Sequence, residues 1–191
     1  CCNDFLGTNY VNELRQSGEN TECLSNIIVI SGDAANDDRT WSQFITSGST
    51  TSDELVKKRE SQVQTDDLCD IIVTSGTTGK PKGVMSRHDQ TIRVFLEWSD
   101  IVGLNETDRY LIVNPFFHTF GYKAGFLSCL LRGATMLPVP VFDIPVVLQK
   151  ISDEKISAIP GPPTLYLTIL NHPDRAKFDL SSLRLAITGA A

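Results

Sequence analysis

Short apolar runs alternate along this chain with stretches of helical period. Within residues 24–31, Ile27-Ile28-Val29-Ile30 reads as a short buried strand ended by Gly32. Cys69-Asp70-Ile71-Ile72-Val73 is strand-like too, and its lack of polar alternation predicts burial on both faces. Residues 83–86 read as extended, 110–113 as a strand, and 135–141 as a strand that Pro138 and Pro140 end early or confine to an edge. Residues 156–159 and 183–188 complete the strands. Helices are expected at 9–16, at 40–45 around Trp41 and Phe44, and after Asp89, where Ile92, Val94, Phe95, Trp98, Ile101 and Val102 fit a 3.6 period. Further helices follow at 120–132, closed by Gly133, at 143–154 with Asp143 as cap and Pro145 in the first turn, and from Pro163. Residues 46–67 are polar and read as an exposed connection with one helical turn at 52–59. Acids flank Lys57-Lys58-Arg59 there, which predicts a solvated helix face. Strands alternating with helices predict an α/β fold whose sheet is largely parallel, with helices on both faces.

Composition narrows the classes. The chain has 191 residues, 41% hydrophobic and 21% charged, which excludes a disordered tail, a collagen or a coiled coil. The 23 acids against 17 bases give −6, a poor balance for general nucleic-acid binding, which needs clustered positive charge. No apolar run reaches the ~18 residues of a membrane span. Nor does the N-terminus read as a signal peptide. Five cysteines, at positions 1, 2, 23, 69 and 129, show no CxxC spacing, so neither a disulfide framework nor a zinc site is expected and a reducing cytoplasm is the default. The chain starts at Cys1 and stops at Gly189-Ala190-Ala191 directly after a strand-like run, so a piece of something longer is expected.

The chemistry concentrates in Thr74-Ser75-Gly76-Thr77-Thr78-Gly79-Lys80-Pro81-Lys82-Gly83. Glycines permit positive φ and let backbone N–H groups converge on an anion. Hydroxyls add donors and Lys82 adds a point charge, which together make a polyphosphate cradle. A Walker A loop needs Gly-Lys followed by Ser or Thr at the start of a helix. Here Pro81 follows Lys80, which argues against a P-loop kinase or GTPase.

Residues 75–83 resemble the phosphate-loop signature of the adenylate-forming superfamily of acyl-CoA synthetases, adenylation domains and firefly luciferase. Asn114-Pro115-Phe116-Phe117-His118-Thr119-Phe120-Gly121 is similar to that family's next motif, and 183–191 to the strand and turn leading into the adenine pocket. The resemblance covers nearly the whole of residues 1–191. It implies part of the large N-terminal domain, built of stacked α/β subdomains. It also implies a two-step reaction with Mg²⁺-ATP and coenzyme A as co-substrates: a carboxylate forms acyl-AMP and pyrophosphate, and the CoA thiol then displaces AMP. Ser75, Thr77, Thr78 and Gly79 hold the β- and γ-phosphates on this reading, and Lys82 offsets charge on the leaving pyrophosphate. Thr74, Gly76 and Gly83 belong to the same loop. Lys80 occupies a variable position and ranks below Lys82. Gly189, Ala190 and Ala191 fall on the adenine side. His118 takes a positioning role beside the carboxylate, against the alternative of a histidine satisfied in a core. No protein metal ligands are assigned. The family's ribose-binding Asp, hinge and C-terminal Lys are not in the sequence, so residues 1–191 alone are expected to be inactive.

Two alternatives stay open. An amino-acid adenylation domain that loads a carrier protein needs a carboxylate for the substrate ammonium, and residues 114–132 hold none. A non-catalytic nucleotide-binding module is the other. For the ligase reading, Phe116, Phe117, Phe120, Tyr122 and Phe126 offer aromatic surface to a hydrophobic acid. Residues 114–133 look most like actinobacterial-type acyl-CoA ligases, including those acting on ring-derived acids of steroid breakdown, and this resemblance implies a role in fatty-acid and lipid metabolism.

Overall fold

The structure, a computed structural model, describes every residue except Asn36, Thr77, Thr78, Ala190 and Ala191. It divides into two units, Cys1–Val63 and Gln64–Ala191.

The first unit is sparse in regular structure. Helix α1 (Tyr10–Gln16) starts at Asn9, whose side chain accepts from the Asn12 N–H. Strands β1 (Ile28–Val29) and β2 (Arg39–Thr40) form a parallel pair only two residues long. The expected strand at 24–31 is therefore shorter, and Ile30 is exposed. Val11 and Val29 are the buried apolar side chains here. Arg15 reaches the buried Asp38 at 2.6 Å. Thr40 and Gln43 form a capping box that starts α2 (Trp41–Ser47). Helix α3 (Asp53–Glu60) runs two turns where one was expected, capped by Ser52. Asp53 and Glu54 lie in its first turn and Lys57, Lys58 and Arg59 in its last, matching the helix dipole on an exposed helix.

The second unit begins with an antiparallel hairpin, β3 (Leu68–Thr74) and β4 (Lys82–Arg87), in register Ile71↔Met85, Ile72↔Val84 and Thr74↔Lys82. This corrects the expectation of a buried strand. Ile71 is 55% and Val73 68% exposed, because the hairpin stands as its own two-stranded sheet and only one of its faces meets a helix. Helix α4 (His88–Val102) follows and ends at Gly103 in the left-handed region. Asp89 lies inside its first turn rather than capping it; the Gln90 side chain accepts from the Arg87 N–H instead.

Strands β5 (Arg109–Ile112), β6 (Thr135–Pro138), β7 (Ala158–Gly161) and β8 (Leu185–Thr188) form a parallel sheet in the order β6-β5-β7-β8. β6 is an edge strand and ends at Pro138, the early stop that the prolines predict. Helices α7 (Ile144–Asp153) and α8 (Pro163–Leu170) bury Val147, Leu148, Ile151, Leu165 and Ile169 with Leu111 and Ile159. A second cluster joins Tyr110, Ile112 and Ala158 to Cys129, with Trp98 and Val102 of α4 packed against it.

The helix expected at 120–132 forms in three registers: α5 (Thr119–Gly121), a π-helical stretch (Tyr122–Leu127) and α6 (Ser128–Arg132). Local bonds hold the wide turn. The Ser128 backbone N–H and hydroxyl both donate to the Lys123 carbonyl, and the Tyr110 hydroxyl donates to the Ala124 carbonyl at 2.9 Å. Widened turns of this kind are rare and cluster at functional sites.

Candidate functional site

The segment joining Thr74 to Lys82 is the turn of the β3–β4 hairpin, and its residues Ser75, Gly79, Lys80 and Pro81 are exposed. Gly76 and Gly79 have φ of +63° and +81°, the left-handed region that glycine adopts freely. A Cβ on Gly76 would overlap the Lys80 carbonyl oxygen and lie 3.6 Å from Lys82 Cγ, so the stem of Lys82 folds over Gly76. Thr74 and Lys82 face each other across the hairpin, and Thr74 Oγ1 donates to the Lys82 carbonyl at 3.5 Å. Ser75, Lys80 and Lys82 are all exposed. Gly83 pairs with Val73. Thr77, Thr78, Ala190 and Ala191 lie outside the described residues.

His118 is exposed, not satisfied in a core, and it caps α5. Its Nδ1 accepts from the Phe120 N–H at 3.1 Å, and its carbonyl accepts from the Gly121 and Tyr122 N–H groups. With Nδ1 used as an acceptor, a neutral imidazole carries its proton on Nε2. Gly121 admits no side chain, because a Cβ there would overlap the Asn114 and Pro115 carbonyls. The Phe120 ring lies 3.7 Å from the Cβ position of Gly189. The fold thus brings the end of β8 to the segment that follows His118.

A buried polar cluster lies behind the hairpin. Lys123, 5% exposed, sits 3.0 Å from Asp70 Oδ1 and donates to Ser86 Oγ at 3.1 Å and Thr91 Oγ1 at 3.3 Å. Asp70 and Ser86 are opposed across the hairpin, so one face of it supplies both. Burial, and then the adjacent Asp70, push the Cys69 thiol above its ordinary value. Sequence reading missed this cluster. The available signal was Lys123 as the one charged residue in the stretch 119–131.

Beside the cluster is a cavity of about 240 Å³. Ile72, Val84, Val94 and Phe95 supply its apolar wall, and Thr74, Ser86, Gln90, Thr91, Thr119 and Lys123 its polar positions. It reaches from Thr74, at the base of the hairpin loop, to Thr119, next to His118. None of Phe116, Phe117, Phe120, Tyr122 and Phe126 lines it. Phe117 is 83% exposed, while Phe126 packs against Phe116 and Tyr122.

Comparison with known proteins bears on these features. The family model described as AMP-binding enzyme matches residues 5–191. Among curated proteins, a 3-[(3aS,4S,7aS)-7a-methyl-1,5-dioxo-octahydro-1H-inden-4-yl]propanoyl:CoA ligase of Rhodococcus jostii (strain RHA1) is 56% identical over 133 residues, 70% of this chain and 26% of that protein. The Mycobacterium tuberculosis (strain ATCC 25618 / H37Rv) protein of the same name is 48% identical over 155 residues, 81% of this chain and 30% of that one. The chain thus spans under a third of these relatives. Among solved structures, the anthranilate CoA ligase AuaEII in complex with anthranoyl-AMP superposes with a TM-score of 0.80 at 28% identity, covering 95% of this chain and 34% of that one.

Proposed function

We infer the function from the premise that this chain belongs to the AMP-binding enzyme family: as part of a longer enzyme, it activates a hydrophobic carboxylic acid for transfer to coenzyme A. The reaction consumes ATP and releases AMP and pyrophosphate on the way to the acyl-CoA. The observation that carries the reading is the hairpin turn between Thr74 and Lys82, where two positive-φ glycines and the Lys82 stem converge. Ser75, Thr77, Thr78, Gly79 and the backbone around Gly76 hold the distal phosphates. Lys82 stabilises charge on the departing pyrophosphate, and the exposed Lys80 adds only a screened charge. Gly189, Ala190 and Ala191 border the adenine side.

His118 orients the acid. Its Nδ1 is committed to the helix cap, so Nε2–H is the group left to face a carboxylate oxygen. Mg²⁺ would be held on the nucleotide's phosphates with the loop hydroxyls beside it. Among the described residues, no cluster of three His, Cys, Asp or Glu side chains is placed to hold a metal.

The acid is a compact ring-bearing one, a substrate of lipid breakdown. The names of the two relatives at 56% and 48% identity and the apolar wall of the 240 Å³ cavity support this class. A substrate ammonium finds no free carboxylate here, since Asp70 is taken by Lys123, which disfavours an amino-acid adenylation domain. Five cysteines that are all free thiols fit a cytoplasmic setting. No helix among the described residues is long and apolar enough to cross a membrane.

The test is carboxylate-dependent pyrophosphate–ATP exchange and CoA-ester formation by the full-length protein containing this chain. Residues 1–191 alone should give neither. Absence of exchange with every hydrophobic acid tried would overturn the ligase reading in favour of a non-catalytic module.

A further inference from the structure

Two backbone irregularities meet behind the hairpin. Strand β3 carries a bulge at Cys69: Leu68 pairs with Arg87 and Asp70 with Ser86, so Cys69 is left without a partner across the ladder. On the other side of the contact, Tyr122–Leu127 is wound as a π-helix. A bulge and a widened turn each re-aim side chains that regular geometry would direct elsewhere. Here they meet residue for residue. The Lys123 ammonium lies 3.0 Å from Asp70 Oδ1, and the Tyr122 hydroxyl and the Cys69 thiol share a hydrogen bond. Lys123 also donates to Ser86 Oγ on β4 and to Thr91 Oγ1 in the first turns of α4. Both Asp70 oxygens are buried and hold no well-directed hydrogen bond, so the Lys123 charge is what offsets them. The joint lies between two parts of the site. Asp70 stands on the strand that ends at Thr74, where the 75–81 loop begins, and Tyr122 directly follows α5, which His118 caps.

We propose that Asp70 and Lys123, with Cys69 and Tyr122 beside them, are positioning residues that hold the phosphate-binding loop in one placement relative to His118, and so align bound ATP with the acid carboxylate. The proposal rests on the ligase reading and adds to it a rigid joint between the two substrate positions. Joining two bound reactants depends on their alignment, and a misplacement of about 1 Å can cost on the order of a hundredfold in rate. A buried ion pair fixes distance and direction together. An apolar pair of similar volume can replace it at little cost in stability, but it has no preferred direction. Such a pair keeps the two elements in contact without fixing how they are set against each other.

The experiment uses the full-length protein and the double variant Lys123→Met with Asp70→Leu, with a bicyclic propanoic acid as substrate. Urea denaturation should place its stability near that of the wild type, and KM for ATP and for the acid should stay within about threefold. The kcat of carboxylate-dependent pyrophosphate–ATP exchange should nevertheless fall by about tenfold or more. A merely structural role moves rate and stability together, so a wild-type kcat in the stable double variant would overturn the proposal. So would a loss confined to KM. Amide hydrogen exchange supplies a readout that needs no turnover. Mg²⁺-ATP should protect residues 118–127 as well as 75–83 in the wild type, and only 75–83 in the double variant. Protection confined to 75–83 in the wild type, or of both segments in the double variant, would overturn the proposal. Absence of turnover with every hydrophobic acid tried, with the wild-type protection of 118–127 present, would overturn the ligase reading and leave the joint standing. No protection of either segment would overturn both.

Discussion

The carbonyl oxygen of Lys80 occupies the place that a Cβ on Gly76 would need. Gly76 also holds φ at +63°, so a side chain there is excluded twice, by conformation and by contact. Gly76→Ala must reopen the hairpin tip and displace Lys82, whose Cγ lies 3.6 Å from the same position. A misplacement of about 1 Å in a positioning group can cost on the order of a hundredfold in rate. Pyrophosphate–ATP exchange by the full-length Gly76→Ala variant should fall by about that factor, while far-UV circular dichroism stays that of the wild type. An unchanged exchange rate would show that the loop does not depend on this close approach.

Lys82 and Lys80 are both exposed cations on one loop, so charge alone does not separate them. Geometry does. Lys82 begins β4, pairs with Thr74 and lays its stem over Gly76. Lys80 lies at the hairpin tip, outside both strands. Lys82→Ala should slow adenylation by about tenfold or more, roughly 1.4 kcal/mol of transition-state stabilisation. Lys80→Ala should cost much less, because a charge surrounded by water is screened. Carboxylate-dependent pyrophosphate release at saturating ATP reads both. Equal losses would mean a diffuse positive patch, and a larger loss at Lys80 would mean the opposite facing of the loop.

The Lys123–Asp70 pair spans the wide helical turn and the strand leading into the 75–81 loop, with side chains 6% and 14% exposed. Removing one partner leaves the other charge buried and uncompensated, at about 3–5 kcal/mol. Lys123→Met and Asp70→Asn should each destabilise the full-length protein by amounts of that order in urea denaturation. Lys123→Met combined with Asp70→Leu should cost well under the sum, because apolar groups of similar volume replace a buried pair at little net loss. Additive losses would show that the two side chains are not coupled.

How much of this was legible in the sequence varies by element. Continuous apolar runs and well-marked ends gave the parallel strands and α7, where Asp143 caps and Pro145 sits in the first turn as its position implies. The same logic failed at Ile71-Ile72-Val73. An uninterrupted apolar run looks alike in a central strand and in a two-stranded hairpin, and only the pairing partners decide burial. The widened turn at Tyr122–Leu127 was not legible, since it depends on Ser128 and on the distant Tyr110 hydroxyl. In the site, the loop was read from its residue order, whereas the aromatic surface expected of Phe116 and Phe117 was not where the cavity formed. Facing along an irregular helix cannot be counted off at 3.6 residues per turn.

Asp108 links the starts of three strands and gives the unit a pH dependence of defined sign. Its side chain is 1% exposed. Ser157 Oγ donates to it at 2.6 Å, the Asn105 N–H at 3.0 Å, and Arg184 contributes a two-pronged contact. Burial pushes this carboxyl up, but the bonds from Arg184, Ser157 and Asn105 outweigh it and hold the group below its ordinary value. A carboxylate lowered by folding contributes stability that is fully present above its unfolded value of 3.8 and is lost as pH falls through the lower folded value. Stability in urea should therefore be insensitive to this group near neutral pH and should decline in the acid range below about pH 4. Asp108→Asn should remove that part of the acid dependence and lower stability at pH 7, because Arg184 then points its charge at a neutral amide while still bonding the Gly103 carbonyl at 2.7 Å. Parallel pH profiles for wild type and variant, offset by a constant, would show that Asp108 is not the group responsible.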